Sequence, residues 1–282
     1  MRRGCPDMEI WQAVVLGIVE GLTEFLPISS TGHLAVVSQW LGLDPAAPEV
    51  IGFNAIIQTA AVVALLVYFA KDIWGIVTGF FKGLFSAEHR QVFEYRFGWY
   101  IIIGSLPIVL AGLFAEDAVD SLFNSLWFVA IGMIGWSFVL WFAEYAATNQ
   151  RSERQINVKD ALFVGVLQCA ALFPGVSRSG AAMSAGMLRD LDRVSATRLA
   201  FFLGIPALTG AGVLKAKDAF DTEVGMLPVI VGMVVSALVA YVAVAWLLKF
   251  VSRSSLMPFV WYRIGFGVVL MGLLATGVLE SG

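Results

Sequence analysis

The chain has 282 residues, 59% of them hydrophobic and only 14% charged, with a formal net charge of −3 and a mean hydropathy of +0.83. A soluble domain carries about 25% charged residues, so this balance excludes a soluble globular protein and indicates an integral membrane protein. The basic residues are dispersed without a run, which gives no footing for nucleic acid, and Cys5 and Cys169 form neither a disulfide framework nor a thiolate metal pattern.

In chain order, the opening MRRGCPDMEIWQAVVLGIV has the look of a secretory signal but lacks a small-residue cleavage site, and it reads as retained. The first apolar stretch, about 9–42, is broken in its middle by LPISSTG. A spanning helix is predicted over about 51–70. KDIWGIVTGFFKGLF, residues 71–85, spaces Gly75, Gly79 and Gly83 four apart, a small-residue stripe suited to packing an interfacial helix against a neighbour or, as the alternative, to a homodimer contact. Further spans follow at about 97–116 and 122–146. A second broken stretch, about 157–190, is interrupted by FPGVSRSG, and spans at about 198–217, 225–249 and 262–280 complete the chain. Trp40, Trp74, Trp99, Trp127 and Trp261 fall near predicted segment ends, where an aromatic belt belongs.

Each half of a broken stretch is about 15–18 residues, short for a crossing of ~30 Å but suited to a re-entrant hairpin. Proline and glycine at the breaks stop the helix, and irregular backbone at mid-membrane depth requires protein or a polar cavity around it. The two stretches align at an offset of 148 residues: Gly17 on Gly165, Glu20 on Gln168, Phe25 on Phe173, Ser29 on Ser177, Gly32 on Gly180. The expected fold is therefore an all-α polytopic membrane protein in a single domain. It contains two inverted repeats, 1–148 and 149–282, each a re-entrant hairpin plus three transmembrane helices, with the tips meeting near the midplane. Basic residues gather on one predicted side: Lys71, Lys82, Arg90, Arg96, Arg151, Arg154, Lys159, Arg189, Arg193, Arg198, Lys249, Arg253 and Arg263. The other side holds Arg2, Arg3, Lys215 and Lys217 beside Glu116, Asp117 and Asp120. The basic side is expected in the cytoplasm, with both termini and the mouth of the first hairpin outside.

The polar tips carry the chemistry. Glu20 and Glu24 share one helix face, and two buried like charges require compensation, for which a divalent cation, Mg²⁺ or Ca²⁺, is the expected partner; protonation or bonding to neighbouring helices is the plainer alternative. Ser29, Ser30 and Thr31 stand where a helix begins and fit either N-capping or an anion site. His33 lies one turn beyond Ser30, so a hydroxyl beside an imidazole is a candidate activated nucleophile. Arg178, the one basic residue expected deep in the membrane, needs an anion. It either pairs with Glu20 or Glu24 or grips phosphate oxygens with support from Ser177 and Ser179.

EGLTEFLPISSTGH and PGVSRSG together resemble the two signature regions of the bacterial undecaprenyl-pyrophosphate phosphatases, also called bacitracin-resistance proteins, and the resemblance covers nearly the whole chain. It implies an enzyme of the bacterial inner membrane that removes the terminal phosphate from the C55 isoprenoid pyrophosphate, returning the lipid carrier to cell-wall synthesis, with a polyprenyl pyrophosphate lipid as substrate. Carried over by position, the resemblance puts catalytic roles on Glu20, Glu24, Ser30, His33 and Arg178, and the motif flanks Ser29, Thr31, Ser177, Ser179 and Gly180 become substrate-binding candidates. The family commonly has a small residue and then threonine after SRSG; here Ala181 is followed by Ala182, so one hydroxyl contact is missing. Ser30 is the preferred nucleophile with His33 as its proton acceptor, and a histidine nucleophile stays open. The phosphatidate-type acid phosphatases fail as a reading, because Ser184 and Leu188 stand where their signature needs His and Asp. A transporter or flippase of the same lipid is the rival from another class.

Overall fold

The computed structural model describes residues 8–114, 125–220 and 224–281, over 213–220 by backbone alone. The expectations placed on Arg2, Arg3, Cys5, Glu116, Asp117 and Asp120, and on the side chains of Lys215 and Lys217, lie outside what is described. The described residues form helices joined by turns and loops, with no strand among them and one isolated bridge between Arg151 and Leu191. Among the described residues six helices are long and apolar enough to cross a membrane, which makes this a multi-pass membrane protein. They are α3 (Pro48–Tyr68), α5 (Phe93–Phe114), α6 (Leu126–Ala146), α9 (Arg193–Phe220), α10 (Met226–Val251) and α11 (Met257–Ala275). The two broken stretches form helix pairs, α1 (Ile10–Thr23) with α2 (Ser30–Trp40) and α7 (Val158–Gln168) with α8 (Arg178–Leu188); α4 (Ala70–Phe85) covers the glycine stripe.

Why each pair turns where it does is visible in the backbone. Ser29 and Ser177, 148 positions apart, both take the left-handed region, with φ of 71° and 74°, a conformation that costs an L-residue roughly 1–2 kcal/mol. Each stands at the N-cap of an 11-residue helix. Pro27 and Pro174 precede these serines and remove the backbone donors that would have continued α1 and α7 through the turn.

Glycine permits the closest helix contacts, as small residues do where backbones must approach in lipid. A Cβ on Gly17 would meet the Gly232 carbonyl at 2.8 Å and one on Gly21 the Ser236 carbonyl at 2.6 Å, so α1 lies against α10; a Cβ on Gly104 would meet the Ala161 carbonyl at 2.8 Å, so α5 lies against α7. The stripe on α4 is used within the chain: Gly79 packs on Glu94 and Gly83 on Tyr95, while Gly75 faces open space.

The hairpins enter from opposite ends of the helix bundle. Gln12 Nε2 donates to the Leu41 carbonyl (3.0 Å), closing the base of the first, and the Leu126 amide donates to the carbonyl of Ser281 (2.9 Å) at the same end, where Gln39 also bonds Glu280. Arg189 Nε donates to Asp160 Oδ1 (2.8 Å), closing the base of the second at the other end. There Arg193 pairs with Glu144 and Arg198 with Glu153 and Asp72.

Candidate active site

The two turns meet inside the molecule. Ser179 Oγ, at the start of α8, donates to the Leu26 carbonyl in the first turn (3.0 Å). Across this junction Glu24 is the hub. Its Oε1 accepts from Arg178 Nη2 (3.2 Å), and its Oε2 accepts from Ser30 Oγ (2.7 Å) and from Gln58 Nε2 (3.3 Å). Glu24 and Ser30 are buried. Arg178 also donates from Nη1 to the Ala200 carbonyl (3.4 Å), while its Nε is buried without a partner among the described residues. A Cβ on Gly204 would collide with this guanidinium, so the absence of a side chain there makes room for it.

Glu20 lies one turn further into α1, fully buried, and neither carboxylate oxygen has a hydrogen-bond partner among the described residues. Its counterpart at the 148-residue offset, Gln168, is likewise buried, with both amide atoms unpartnered among the described residues. Two buried carboxylate oxygens without a protein partner fit a hard, oxygen-seeking cation. Among the described residues no group of three or more His, Cys, Asp and Glu side chains comes together, so Glu20 and Glu24 could hold such an ion only with further oxygens from a ligand.

His33 departs from the expected arrangement. Its Nδ1 lies 2.7 Å from the Ser29 carbonyl and its Nε2 2.6 Å from the Tyr262 hydroxyl, and its ring stacks on Phe266 with centroids 4.3 Å apart. A carbonyl can only accept, so in the neutral ring Nδ1 carries the proton and Nε2 accepts from Tyr262. Both nitrogens are committed, and the acceptor for the Ser30 hydroxyl is Glu24, not His33. The helical spacing that puts His33 and Ser30 on one side of α2 does not fix the direction of their polar atoms.

Of the flanking candidates, Ser177 Oγ caps α8 by accepting from the Gly180 amide (3.2 Å) and shares a hydrogen bond with Ser179 Oγ (3.1 Å). Ser29 makes no side-chain cap, and its contribution is the carbonyl that His33 holds. Thr31 is exposed and has no bond to the Glu24–Arg178 pair. A Cβ on Gly180 would sit 3.4 Å from Pro27, so this glycine is where the two turns touch.

Three residues with a place here escaped the reading of the sequence: Gln58, Tyr262 and Arg263. Arg263, counted above with the basic residues of the cytoplasmic side, is instead wholly buried. The available signal was an arginine inside a run of apolar residues, VWYRIGFGVVL, which in a membrane helix marks an interior role by default.

The family model described as bacitracin resistance protein BacA matches residues 13–269 of the chain. The chain belongs to that family. Among its curated relatives, undecaprenyl-diphosphatase 1 of Streptomyces coelicolor is 52% identical over 97% of this chain and 99% of its own length. Undecaprenyl-diphosphatase of Acidothermus cellulolyticus is 45% identical over 95% and 98%, and that of Cutibacterium acnes is 45% identical over the same shares.

Proposed function

We propose that the protein hydrolyses undecaprenyl diphosphate to undecaprenyl phosphate and inorganic phosphate, recycling the lipid carrier of cell-wall synthesis. The observation that carries this reading is the Glu24 carboxylate bonded at once to a hydroxyl on one hairpin and to a guanidinium on the other. Transport alone requires no such pairing of nucleophile and base. The relatives named above bear the name of this activity.

In the proposed reaction the lipid diphosphate enters between the two turns, and Arg178 shifts part of its donor fork from Glu24 to the terminal phosphoryl oxygens, a match that a planar guanidinium makes well. Ser30 Oγ forms a bond to the terminal phosphorus while its proton passes to Glu24 Oε2. The P–O bond of the anhydride breaks, and undecaprenyl phosphate leaves. Water then attacks the phosphoserine, the proton held by Glu24 returns to Ser30 Oγ, and inorganic phosphate departs. Most of the acceleration in such transfers comes from positioning and charge stabilisation. A Mg²⁺ or Ca²⁺ held by Glu20 and Glu24 would neutralise charge on the bound diphosphate. His33 holds the strained Ser29 next to Ser30 through its Nδ1–H. In this reading the basic end of the bundle lies in the cytoplasm, both termini lie outside, and the site opens to the outer face of the inner membrane.

The test is phosphate release by purified protein in detergent with undecaprenyl diphosphate and Mg²⁺ or Ca²⁺. The expected result is one phosphate per lipid, with radiolabel from the terminal phosphate trapped on Ser30 by rapid acid quench. No release under either metal, together with lipid movement across proteoliposomes, would replace this reading with transport; full turnover by Ser30→Ala would remove the serine from the nucleophile's role.

A further inference from the structure

Arg263 belongs to neither signature stretch, yet it is bonded to the backbone of both turns. Its Nη1 donates to the Pro27 carbonyl of the first turn (3.1 Å) and its Nη2 to the Gly175 carbonyl of the second (2.9 Å). The remaining bonds go to α6: Nε and Nη2 to the Met133 carbonyl (3.2 and 3.1 Å), Nη2 to the Gly132 carbonyl (3.4 Å) and Nε to Ser137 Oγ (3.2 Å). We propose that Arg263 is a positioning residue that sets the register of the two hairpin turns against α6, so that Arg178 of one turn meets Glu24 and Ser30 of the other.

Three observations converge on this. The first is cost. Arg263 is 0% exposed and, among the described residues, has no carboxylate partner; an unpaired buried cation is a poor device for stability alone. Its five N–H donors in one fixed plane are, however, suited to holding several carbonyls at set angles. The second is the surface it clamps against. A Cβ on Gly32 would meet Val129 Cγ1 at 2.8 Å, one on Gly132 would run into the Pro174 carbonyl, and one on Gly175 into the Val129 carbonyl. Both turns are therefore pressed on the same turn of α6, Val129–Met133, and Arg263 closes over them from α11. The third is leverage. Glu24 and Ser30 each lie three residues from Pro27, and Arg178 lies three residues from Gly175, so a shift at either carbonyl reaches the reacting groups through about one turn of chain. A misplacement near 1 Å costs about 100-fold in rate.

The kinetic consequence rests on the phosphatase reading; the geometric one does not, and the experiment reads both. In a background with Cys5→Ser and Cys169→Ser, the pair Pro27→Cys and Gly180→Cys reports the junction, because the Cβ positions lie 3.4 Å apart, close to the roughly 3.5–4.5 Å of a disulfide. Cross-linking by a mild oxidant is expected to be fast with Arg263 in place and at least fivefold slower with Arg263→Lys, which keeps the charge but has no fork, and with Arg263→Met. In the cysteine-free background, with both hairpins otherwise intact, Arg263→Lys is expected to lower kcat for phosphate release about 100-fold with KM changed less than about threefold. Should the Arg263 variants fail to give a monodisperse protein, Ser137→Ala, which removes one bond to the guanidinium, carries the comparison, with cross-linking expected to slow about twofold. Unchanged cross-linking in the folded variants overturns the proposal whatever the kinetics. A parent protein that releases no phosphate would sink the phosphatase reading and leave the cross-linking comparison to decide the role of Arg263.

Discussion

At Glu24 one carboxylate serves two hairpins, and the two oxygens have separable tasks. Glu24→Gln keeps the shape and a carbonyl-type acceptor but removes the base, so phosphate release should fall by about 10²–10⁴-fold, the usual worth of a positioned proton acceptor, with the thermal midpoint in detergent lowered as well because Arg178 loses its charged partner. His33 is the sharper test. Because the Tyr262 hydroxyl occupies Nε2 while Nδ1 holds Ser29, Tyr262→Phe should reduce turnover by only about three- to tenfold if the ring positions the turn. A loss beyond about 10³-fold would show that the Tyr262 hydroxyl itself acts in the reaction, whereas terminal-phosphate label trapped on His33 in a Ser30→Ala protein would shift the nucleophile to the imidazole. Residue types at the site were legible in the sequence because buried acids, an arginine and clustered hydroxyls have no cheap place in lipid. Their partners were not. The Ser30–His33 pairing follows from helical spacing, but the Ser30 hydroxyl is taken by Glu24 and a long-range contact from α11 claims the ring. Gln58 and Tyr262 are ordinary residues in apolar helices, and only the fold makes them neighbours of Glu24 and His33.

Among the elements, the six spans were readable from hydropathy, and the observed helices α3, α5, α6 and α10 begin or end within a few residues of the expected bounds. The breaks were readable as well, since Pro27 and Pro174 fall where α1 and α7 can no longer continue. What the pattern could not supply was depth. A span expected from about 262 puts Arg263 at the basic end, whereas α11 starts at Met257 and carries the residue inward. The second turn depends on a position that only glycine fills well: Gly175 has φ of +84°, and a Cβ there would press on the Val129 carbonyl. Gly175→Ala should therefore destabilise by more than about 1 kcal/mol through backbone strain alone, and more through the clash. The expected readout is a lower thermal midpoint together with loss of phosphate release, while Gly75→Ala on α4, where a Cβ would meet nothing within 4 Å, should leave both unchanged. We read the shared register of the two turns, the matched serines and the opposite entry of the hairpins as two inverted repeats divided near residue 148.

For the whole molecule, the two ends of the bundle differ in kind. At one, Asp160 gathers Arg151 (2.5 Å), Arg189 (2.8 Å) and the Asn157 amide (3.0 Å), so that although burial pushes its carboxyl up, the bonds from the two arginines prevail and hold it below the ordinary aspartate value. A carboxyl depressed by folding stabilises above its unfolded pKa and loses that contribution as pH falls through the folded one. The thermal midpoint should thus be level near neutrality and drop below about pH 4, and Asp160→Asn should lower the neutral value and flatten the acid slope. The other end, carrying Leu41 and Ser281, has no comparable set of ion pairs among the described residues. Lys and Arg bias orients membrane proteins with the basic end in the cytoplasm, and moving Arg263 from that tally to the interior leaves every other residue of it, Lys71 through Arg253, in place. Exposed single cysteines test the orientation: in cells carrying Cys5→Ser and Cys169→Ser, Ala46→Cys should react with an impermeant maleimide from outside, and Lys159→Cys only after lysis. The opposite pattern would turn the first hairpin's mouth toward the cytoplasm. A phosphatase facing that way would meet its lipid diphosphate on the inner leaflet, so the labelling result also fixes which pool of the lipid the Glu24–Ser30–Arg178 junction can reach.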